Sequence, residues 1–257
     1  MFFQKLIFVI SLNAFLQDIC GIKLPDTFPK CRIQDENIQE CMTKSAQTVI
    51  SILKNGIPEL DFPTLDPFHI DSLLLPDLDG PVTLSQKYSN AILTGLGDIK
   101  IINFTIDKST YRIQAKVTTP QITFYGDYEV SGHILVLPMV GTGKVNFTLS
   151  NISSDILLEF NVIEKNEIEY LEITKVHVPI EAEQHYFRYD NLFNGNKTLG
   201  DNMNAFLNEH AEEVAADMRP VFEAACDETF EKYLNKLFTN VPLSLTKNVL
   251  TVKKYTA

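Results

Sequence analysis

The residue types that most often carry out catalysis do not form a known motif in this sequence. It contains no Gly-x-Ser-x-Gly of serine hydrolases, no His-Glu-x-x-His of zinc proteases and no Cys-x-x-Cys of redox or zinc sites. The GTGK at Gly141–Lys144 lacks the spacing and the following Ser or Thr of a phosphate-binding loop, and it predicts a hairpin turn instead. We therefore predict no catalytic residue, no cofactor and no enzymatic activity.

The five histidines are scattered along the chain. His177 and His185 flank a predicted strand end, where they could bind a metal ion together with Glu181 or Glu183. Solvated side chains at a strand end are the simpler interpretation, so we predict no metal site. An exported hydrolase whose catalytic residues come from distant segments stays an alternative, because such a triad leaves no local motif.

Covalent modification is indicated more clearly than catalysis. Four asparagines lie in the Asn-x-Ser/Thr pattern that accepts an N-linked glycan in the secretory pathway: Asn103, Asn146, Asn151 and Asn196. Residues 1–21 agree with that route, because one lysine, Lys5, precedes an apolar run too short to cross a bilayer. We predict a signal peptide over residues 1–21, a mature domain over residues 22–257 and a secreted, extracellular protein. A buried N-terminal helix is the alternative.

The predicted cleavage removes Cys20 and leaves three cysteines. Cys31 and Cys41 are close in sequence, and a bridge that closes so short a loop contributes roughly 3 kcal/mol in the chain-entropy model. We predict a Cys31–Cys41 disulfide. Cys226 is then a free, buried thiol, and an intermolecular bridge or a reactive thiol is the alternative.

The formal charge of −11 limits the partners of the protein. An acidic chain is repelled by nucleic acids and by anionic membranes, so we predict neither as a partner. After residue 21 no run approaches the roughly eighteen apolar residues of a transmembrane helix, so we also predict no stable membrane insertion. A membrane-active or microbe-binding role would require clustered basic residues. No linker or low-complexity segment divides the chain, so we expect one domain, and we expect a monomer.

Helical patterns lie towards both ends of the chain. Asp35 or Asn37 can cap a helix whose apolar residues have three-and-four spacing, and Gly56 ends it. The same spacing recurs over Asp201–Phe238 and predicts one amphipathic helix of about 55 Å. Pro220, near its middle, cannot donate a hydrogen bond to the carbonyl of Ala216, so we predict a kink there.

Between Val82 and Tyr189 the apolar residues alternate with polar ones, which is typical of strands with one buried (dry) face and one solvent-exposed (wet) face. Turn signals separate the strands at Gly95–Gly97, Asp107–Ser109, Gly141–Gly143 and Glu164–Asn166. The sequence thus predicts an antiparallel meander.

Two glycan acceptors lie within predicted strands and assign the faces. Asn103 and Asn146 must face water to be modified, which predicts that the alternating apolar residues of both strands face inward. These residues are Ile102, Phe104 and Ile106, and Val145, Phe147 and Leu149. The long C-terminal helix can cover such a one-sided sheet. We therefore predict an elongated α+β architecture.

A set of motifs along the chain is recognisable. It consists of the cysteine pair around RIQDENIQE, the run GIPELDFPTLDPFHID, the turn GLGDIKI, and LFNGNKTLGDNMNAFLNEHAEEV before the last amphipathic pattern. Together these segments resemble the insect takeout and hemolymph juvenile hormone binding protein family over essentially the whole mature chain. Hormone carriers of that family often have a second disulfide. Because only Cys226 is left, the chain is more similar to the takeout-like branch.

The resemblance implies a tubular lipid-binding (TULIP-like) fold, in which a strongly curved antiparallel sheet wraps around the long C-terminal helix and leaves an internal hydrophobic tunnel. It also implies a secreted carrier of terpenoids such as juvenile hormone, fatty acids or other lipids, with a circadian or feeding-related role. Six side chains of the dry faces are predicted to line the tunnel: Phe124, Tyr128, Phe147, Phe160, Met218 and Phe222. The phenol of Tyr128 is the predicted polar anchor. A filled core, as in a protein-docking module, is the alternative.

Overall fold

The computed structural model describes residues 37–76, 82–107, 109–134 and 136–243. The predicted signal peptide and Cys31 lie outside these ranges. The helices of more than one turn are α1 (Ile38–Leu53), α2 (Lys197–Glu209) and α3 (Ala211–Phe238), and a four-residue helical turn spans Leu192–Gly195. The strands are β1 (Phe68–Leu75), β2 (Val82–Thr94), β3 (Lys100–Asp107), β4 (Arg112–Ile134), β5 (Leu137–Lys165), β6 (Ile168–His177) and β7 (Glu181–Tyr189).

The predicted first helix is confirmed: it begins after Asn37 and ends before Gly56, whose φ is 75°.

The seven strands of the described ranges form one antiparallel sheet. β4 and β5 are 23 and 29 residues long and pair with each other along most of their length. On the other side of β4, β2 pairs with one half and β3 with the other half, and β1 extends the sheet beyond β2. β7 and β6 divide the second side of β5 in the same way. The sheet curves around α3, because residues of β2, β4, β5, β7 and α3 meet in one core.

The predicted alternation is confirmed over the strand region, but one predicted turn is wrong. Gly141–Gly143 lies inside β5, and the hairpin between β4 and β5 pairs Ile134 with Leu137. A Cβ atom at Gly141 would lie 3.0 Å from the Cα of Leu192, and one at Gly143 would lie 2.5 Å from the carbonyl oxygen of Asp190. These glycines therefore allow the segment before α2 to approach β5 closely.

Both long strands change their inward-facing side near the middle of the sheet. In β5 the buried residues are odd-numbered up to Phe147 and even-numbered from Ile152. The change falls at Asn151, whose φ of 52° breaks the regular pleat. In β4 the buried residues are odd-numbered up to Thr119 and even-numbered from Phe124. Because β4 and β5 both change their inward-facing side in this region, their buried side chains still form one continuous interior surface.

The inward orientation predicted for β5 is confirmed, because Val145 is 1% and Phe147 is 7% exposed. The inward orientation predicted for Ile102 is wrong, since this side chain is 55% exposed. The register of β3 shifts between Ile101 and Asn103, and this irregularity turns Ile102 outward.

The single helix predicted over Asp201–Phe238 is two helices in the structure. His210, with φ −109° and ψ 29°, separates α2 from α3. Glu212 and Glu213 lie in the first turn of α3, where acidic side chains stabilise a helix N-terminus. α3 then continues through Pro220 for a total of 28 residues. Within the described ranges, no helix combines the length and the apolar composition needed to cross a membrane.

Three clusters of buried side chains stabilise the described part of the fold. The largest joins α2 and the first half of α3 to strands β2, β4, β5 and β7. The second lies under α1 and includes Leu237 from the last turn of α3. The third joins β6 to Phe160 and Leu243, with Phe238 of α3 packed against it. The first half and the last turns of α3 therefore contact different cores.

Candidate functional site

Aromatic side chains fill the centre of the largest cluster. The ring of Phe147 lies 5.7 Å from that of Phe124, 5.8 Å from that of Tyr88 and 6.2 Å from that of Phe222. The ring of Tyr189 lies 5.3 Å from Phe147. These are the separations of rings in contact. Three of the predicted lining residues, Phe124, Phe147 and Phe222, are thus brought together. We call this group of five residues the aromatic cluster.

Met218 and Tyr128 belong to the same core, but the hydroxyl of Tyr128 already has a partner. Met218 is 3% exposed. The ring of Tyr128 lies 4.9 Å from that of Tyr189, and its hydroxyl donates a 2.6 Å hydrogen bond to the carbonyl oxygen of Asp190. Burial, more than the nearby Asp190, raises the pKa of Tyr128 to about 12, so the phenol stays neutral. In this structure the predicted polar anchor holds the segment before α2.

Phe160 lies apart from the other five predicted lining residues. Its ring packs against Phe238 at 5.0 Å, in the third cluster, together with Leu171 and Ile173 of β6. The six predicted residues therefore mark two separate regions of the interior.

A buried polar pair beside the aromatic cluster was not predicted from the sequence. Gln86 and Tyr88 are both 0% exposed, and Tyr88 donates a 2.7 Å hydrogen bond from its hydroxyl to Oε1 of Gln86. Nε2 of Gln86 has no hydrogen-bond partner in the described part of the chain. The alternation of β2 could have placed both residues on the dry face. Glutamine usually lies on the solvent-facing side of a strand, so its residue type predicts the wrong face for Gln86.

The middle of α3 differs from both of its ends. In the fully described stretch between Val221 and Leu237 no residue is completely buried, over about 24 Å of helix. Its apolar side chains are half-buried: Phe222, Ala225, Cys226, Phe230, Tyr233 and Leu234. Burial is nevertheless the largest cause that raises the pKa of the Cys226 thiol to about 12, followed by Asp227 and Glu223. The surroundings of Cys226 are therefore mainly protein, although its side chain keeps accessible surface.

A pocket of about 550 Å³ lies where β4 and β5 change their inward-facing side. Its lining includes Thr119, Ile152 and Ala182, which are register neighbours across β4, β5 and β7. Arg219 of α3 contributes a charged side chain to the same pocket. We call it the waist pocket. Its volume is in the range of small-molecule sites.

The last two helices hold the outer edge of β6 and β7 through side-chain amides and carboxylates. Asn204 accepts a 2.8 Å bond from the backbone N–H of Tyr189 and donates one of 2.8 Å to its carbonyl oxygen. Asn208 makes the same pair of bonds with Phe187 at 3.0 and 2.7 Å. Glu223, Asp227 and Asn235 of α3 accept from backbone N–H groups of Ile180, Val178 and Ile173. These contacts position α3 over the sheet.

The predicted modification sites lie at the surface or close to it. Asn103, Asn151 and Asn196 are exposed, and Asn146 is half-buried. Glycosylation at these sites stays a prediction. Cys41 lies in α1 and Cys31 lies outside the described residues, so their disulfide also stays a prediction, whereas Cys226 is a free cysteine.

The histidines considered as metal ligands do not come together. Nδ1 of His177 lies 3.5 Å from Oδ2 of Asp227, on α3. His185 lies on the opposite side of the β6–β7 connection, and burial, followed by the charge of Arg219, lowers its pKa. Across the described ranges, no group of three or more His, Cys, Asp or Glu side chains could hold a metal ion.

The fold and its interior define a class of α+β proteins in which a curved antiparallel sheet encloses a long C-terminal helix. The structure is similar to the crystal structure of Takeout 1 from Epiphyas postvittana, with a TM-score of 0.73 and 28% identity, over 84% of this chain and 97% of that one. This similarity confirms the predicted fold class.

The sequence comparisons place the chain in a family. The family model for haemolymph juvenile hormone binding protein (JHBP) matches residues 6–246, so the chain belongs to this family. The circadian clock-controlled protein daywake of Drosophila melanogaster is 26% identical over 235 residues, 87% of this chain and 89% of daywake. Daywake of Drosophila yakuba is 25% identical over 226 residues, which cover 85% of this chain and 86% of the length of that protein. The family is one of hydrophobic-ligand binders, and the predicted resemblance is confirmed.

Proposed function

We propose that the protein is a secreted carrier that binds a hydrophobic small molecule between α3 and the concave face of the sheet. One observation carries this proposal: the middle of α3 presents six half-buried apolar side chains and no completely buried one, between two ends that are well packed. Fully packed interiors leave few voids larger than a water molecule. An apolar stretch of this length that keeps accessible surface is consistent with a space that a ligand fills.

The chemistry of this stretch fits an apolar ligand. Its side chains are alkyl, aromatic or thiol groups, and the thiol of Cys226 is neutral because its pKa is about 12. Burial of a hydrocarbon contributes about 0.8 kcal/mol per methylene, so a chain of ten or more carbons can bind without a charge. We propose a juvenile-hormone-like terpenoid, a fatty acid or another lipid as the ligand class.

The predicted lining residues contribute unequally to this proposal. Phe222 is half-buried and borders the middle of α3. Phe124, Phe147 and Phe160 are 5–8% exposed, and we propose that they form the walls at the two ends of the space.

Secretion, glycosylation and the Cys31–Cys41 disulfide are part of the same proposal. The side chains of Asn103, Asn151 and Asn196 are exposed, which supports glycosylation because a glycan must project into solvent. The family name refers to haemolymph, which supports an extracellular location.

The test is to express the full chain in insect cells, purify it without detergent and analyse organic extracts by mass spectrometry. In parallel, terpenoids and long-chain acids compete with a fluorescent apolar probe. A co-purifying lipid near one per protein, or displacement of the probe, is the expected result. A protein that contains no lipid and takes up no probe would disprove the carrier function and favour the filled-core docking module. Turnover of an ester substrate would favour the hydrolase.

A further inference from the structure

The waist pocket contains a half-buried cation that forms no ion pair with any described residue. Arg219 lines the pocket. No carboxylate of the described residues lies within 4.0 Å of its guanidinium, the distance at which an ion pair forms. Arg188, in contrast, is more exposed and lies 3.1 Å from Asp190. In a chain with 33 acidic and 22 basic residues, an arginine that is partly covered and lacks an acidic partner requires an explanation.

The protein around Arg219 partly excludes water, which makes an unpaired charge there energetically unfavourable. Burial lowers the pKa of the neighbouring His185, and the positive charge of Arg219 lowers it further, while the charge of Glu212 opposes the shift without reversing it, so this region favours a neutral imidazole. Thr119 and Ile152, which line the same pocket, are 5% and 6% exposed. A charge that loses water in such surroundings is stabilised when an opposite charge replaces the water.

Helix geometry connects the waist pocket with the apolar middle of α3. Arg219, Phe222 and Cys226 stand at positions i, i+3 and i+7, which share one face of a helix. A ligand bound along this face can therefore reach Arg219 with one end and the half-buried apolar side chains with the rest of its length.

We infer that Arg219 binds the carboxylate of a single-chain amphipathic ligand whose hydrocarbon part lies along the middle of α3. This inference rests on the proposed carrier function and narrows its ligand class to long-chain carboxylates. A guanidinium offers paired N–H donors that match a carboxylate, whereas an ester accepts only weaker, uncharged hydrogen bonds.

The other charged residues of the waist pocket are compatible with this assignment. Glu181 and Glu183 are exposed at its rim, where solvent and salt screen their charges. Glu183 also accepts a 2.7 Å hydrogen bond from Nδ2 of Asn151. Lys100 is exposed and adds a second positive charge at the rim.

The test compares oleic acid with methyl oleate as competitors of a fluorescent apolar probe at pH 7.4. A charged hydrogen-bonded pair implies that the wild-type protein binds the acid about tenfold or more tightly than the ester. Arg219→Gln should lower the affinity for the acid to that for the ester and leave the ester unchanged, and Arg219→Lys should restore part of the preference. Arg188→Gln, at an exposed arginine outside the pocket, is the matched control and should behave as wild type.

Each outcome decides a different point. If the wild type binds acid and ester equally, or if Arg219→Gln keeps the preference, the inference is wrong while the carrier function stands. If Arg219→Gln weakens both ligands equally, Arg219 shapes the pocket without binding a carboxylate, and the inference is again wrong. If neither the probe nor either competitor binds the wild type, the carrier function itself fails. Retained binding of the ester by the variants shows that they are folded.

Discussion

At the scale of single residues, adjacent side chains of β5 have opposite environments. Phe147 contacts five other aromatic rings and is 7% exposed, whereas Asn146 is half-buried and accepts a 3.2 Å hydrogen bond from Thr148. Replacing Phe147 by Ala should lower the free energy of unfolding by about 3–5 kcal/mol, because it leaves a cavity among rings. Asn146→Asp, measured in the same urea titration, should change it by less than about 1 kcal/mol. Equal losses would show that the assigned faces of β5 are wrong.

His185 should make the stability depend on pH. Burial and the charge of Arg219 lower its pKa in the folded protein, while Glu212 opposes this shift. Below the usual histidine pKa of about 6.5, the unfolded chain therefore binds a proton that the folded chain does not. Stability from this residue is present above pH 6.5 and is lost as the pH falls towards the folded pKa.

The measurement is urea unfolding between pH 7.5 and pH 5 for the wild type and for His185→Gln, which cannot titrate. Carboxylates act equally in both proteins, so the difference isolates the histidine. The wild type should lose more stability over this range than the variant. An equal or larger loss in His185→Gln would contradict the lowered pKa.

At the scale of elements, two asparagines of α2 act as a substitute strand for the edge of β7. Residues i and i+4 of a helix are about 6 Å apart, close to the spacing of alternate residues in a strand. Asn204 and Asn208 therefore reach the backbone of Tyr189 and Phe187, and each amide both accepts and donates. A sheet edge covered in this way cannot pair with another chain.

Removing one of these amides should destabilise the fold. Asn204→Ala leaves the buried N–H and carbonyl groups of Tyr189 without partners, which should cost about 1–3 kcal/mol in urea unfolding. Asn202→Ala is the matched control, since Asn202 is an exposed asparagine of the same helix and alanine favours helix. If both variants were equally stable, the side-chain clamp on β7 would be energetically unimportant.

Sequence patterns predicted some features of the secondary-structure elements and not others. Alternation predicted the strand region, and capping signals predicted α1, because both depend on near neighbours. The role of Gly141 and Gly143 was not predictable, since it depends on Leu192 and Asp190, far away in sequence. The break at His210 also has no Gly or Pro to mark it. For the site, the apolar pattern selected side chains that the structure brings together, such as Phe124, Phe147 and Phe222. It could not predict that Phe160 lies in another cluster, because that depends on pairing between distant strands.

At the scale of the whole molecule, packing differs along the axis of α3. The first half of this helix and its last turns each have a filled core, and the half-buried stretch lies between them. A sequence pattern cannot distinguish these regions, because half-buried Phe230 has the same apolar character as buried Met218 and Leu237. Only the shape of the enclosing sheet decides which apolar side chains touch one another and which leave space.

The difference in packing between the middle of α3 and the filled core predicts opposite effects on stability for two substitutions that introduce phenylalanine. Cys226→Phe adds a ring beside the middle of α3, so it should leave the free energy of unfolding within about 1 kcal/mol of wild type and block uptake of the apolar probe. Ala91→Phe adds the same ring to the filled core, where Ala91 is 1% exposed, and should cost at least about 1–3 kcal/mol. Cys226→Ser keeps the space open and should retain uptake. If Cys226→Phe were as destabilised as Ala91→Phe, the interior would be filled along its whole length and could not hold a ligand without unpacking.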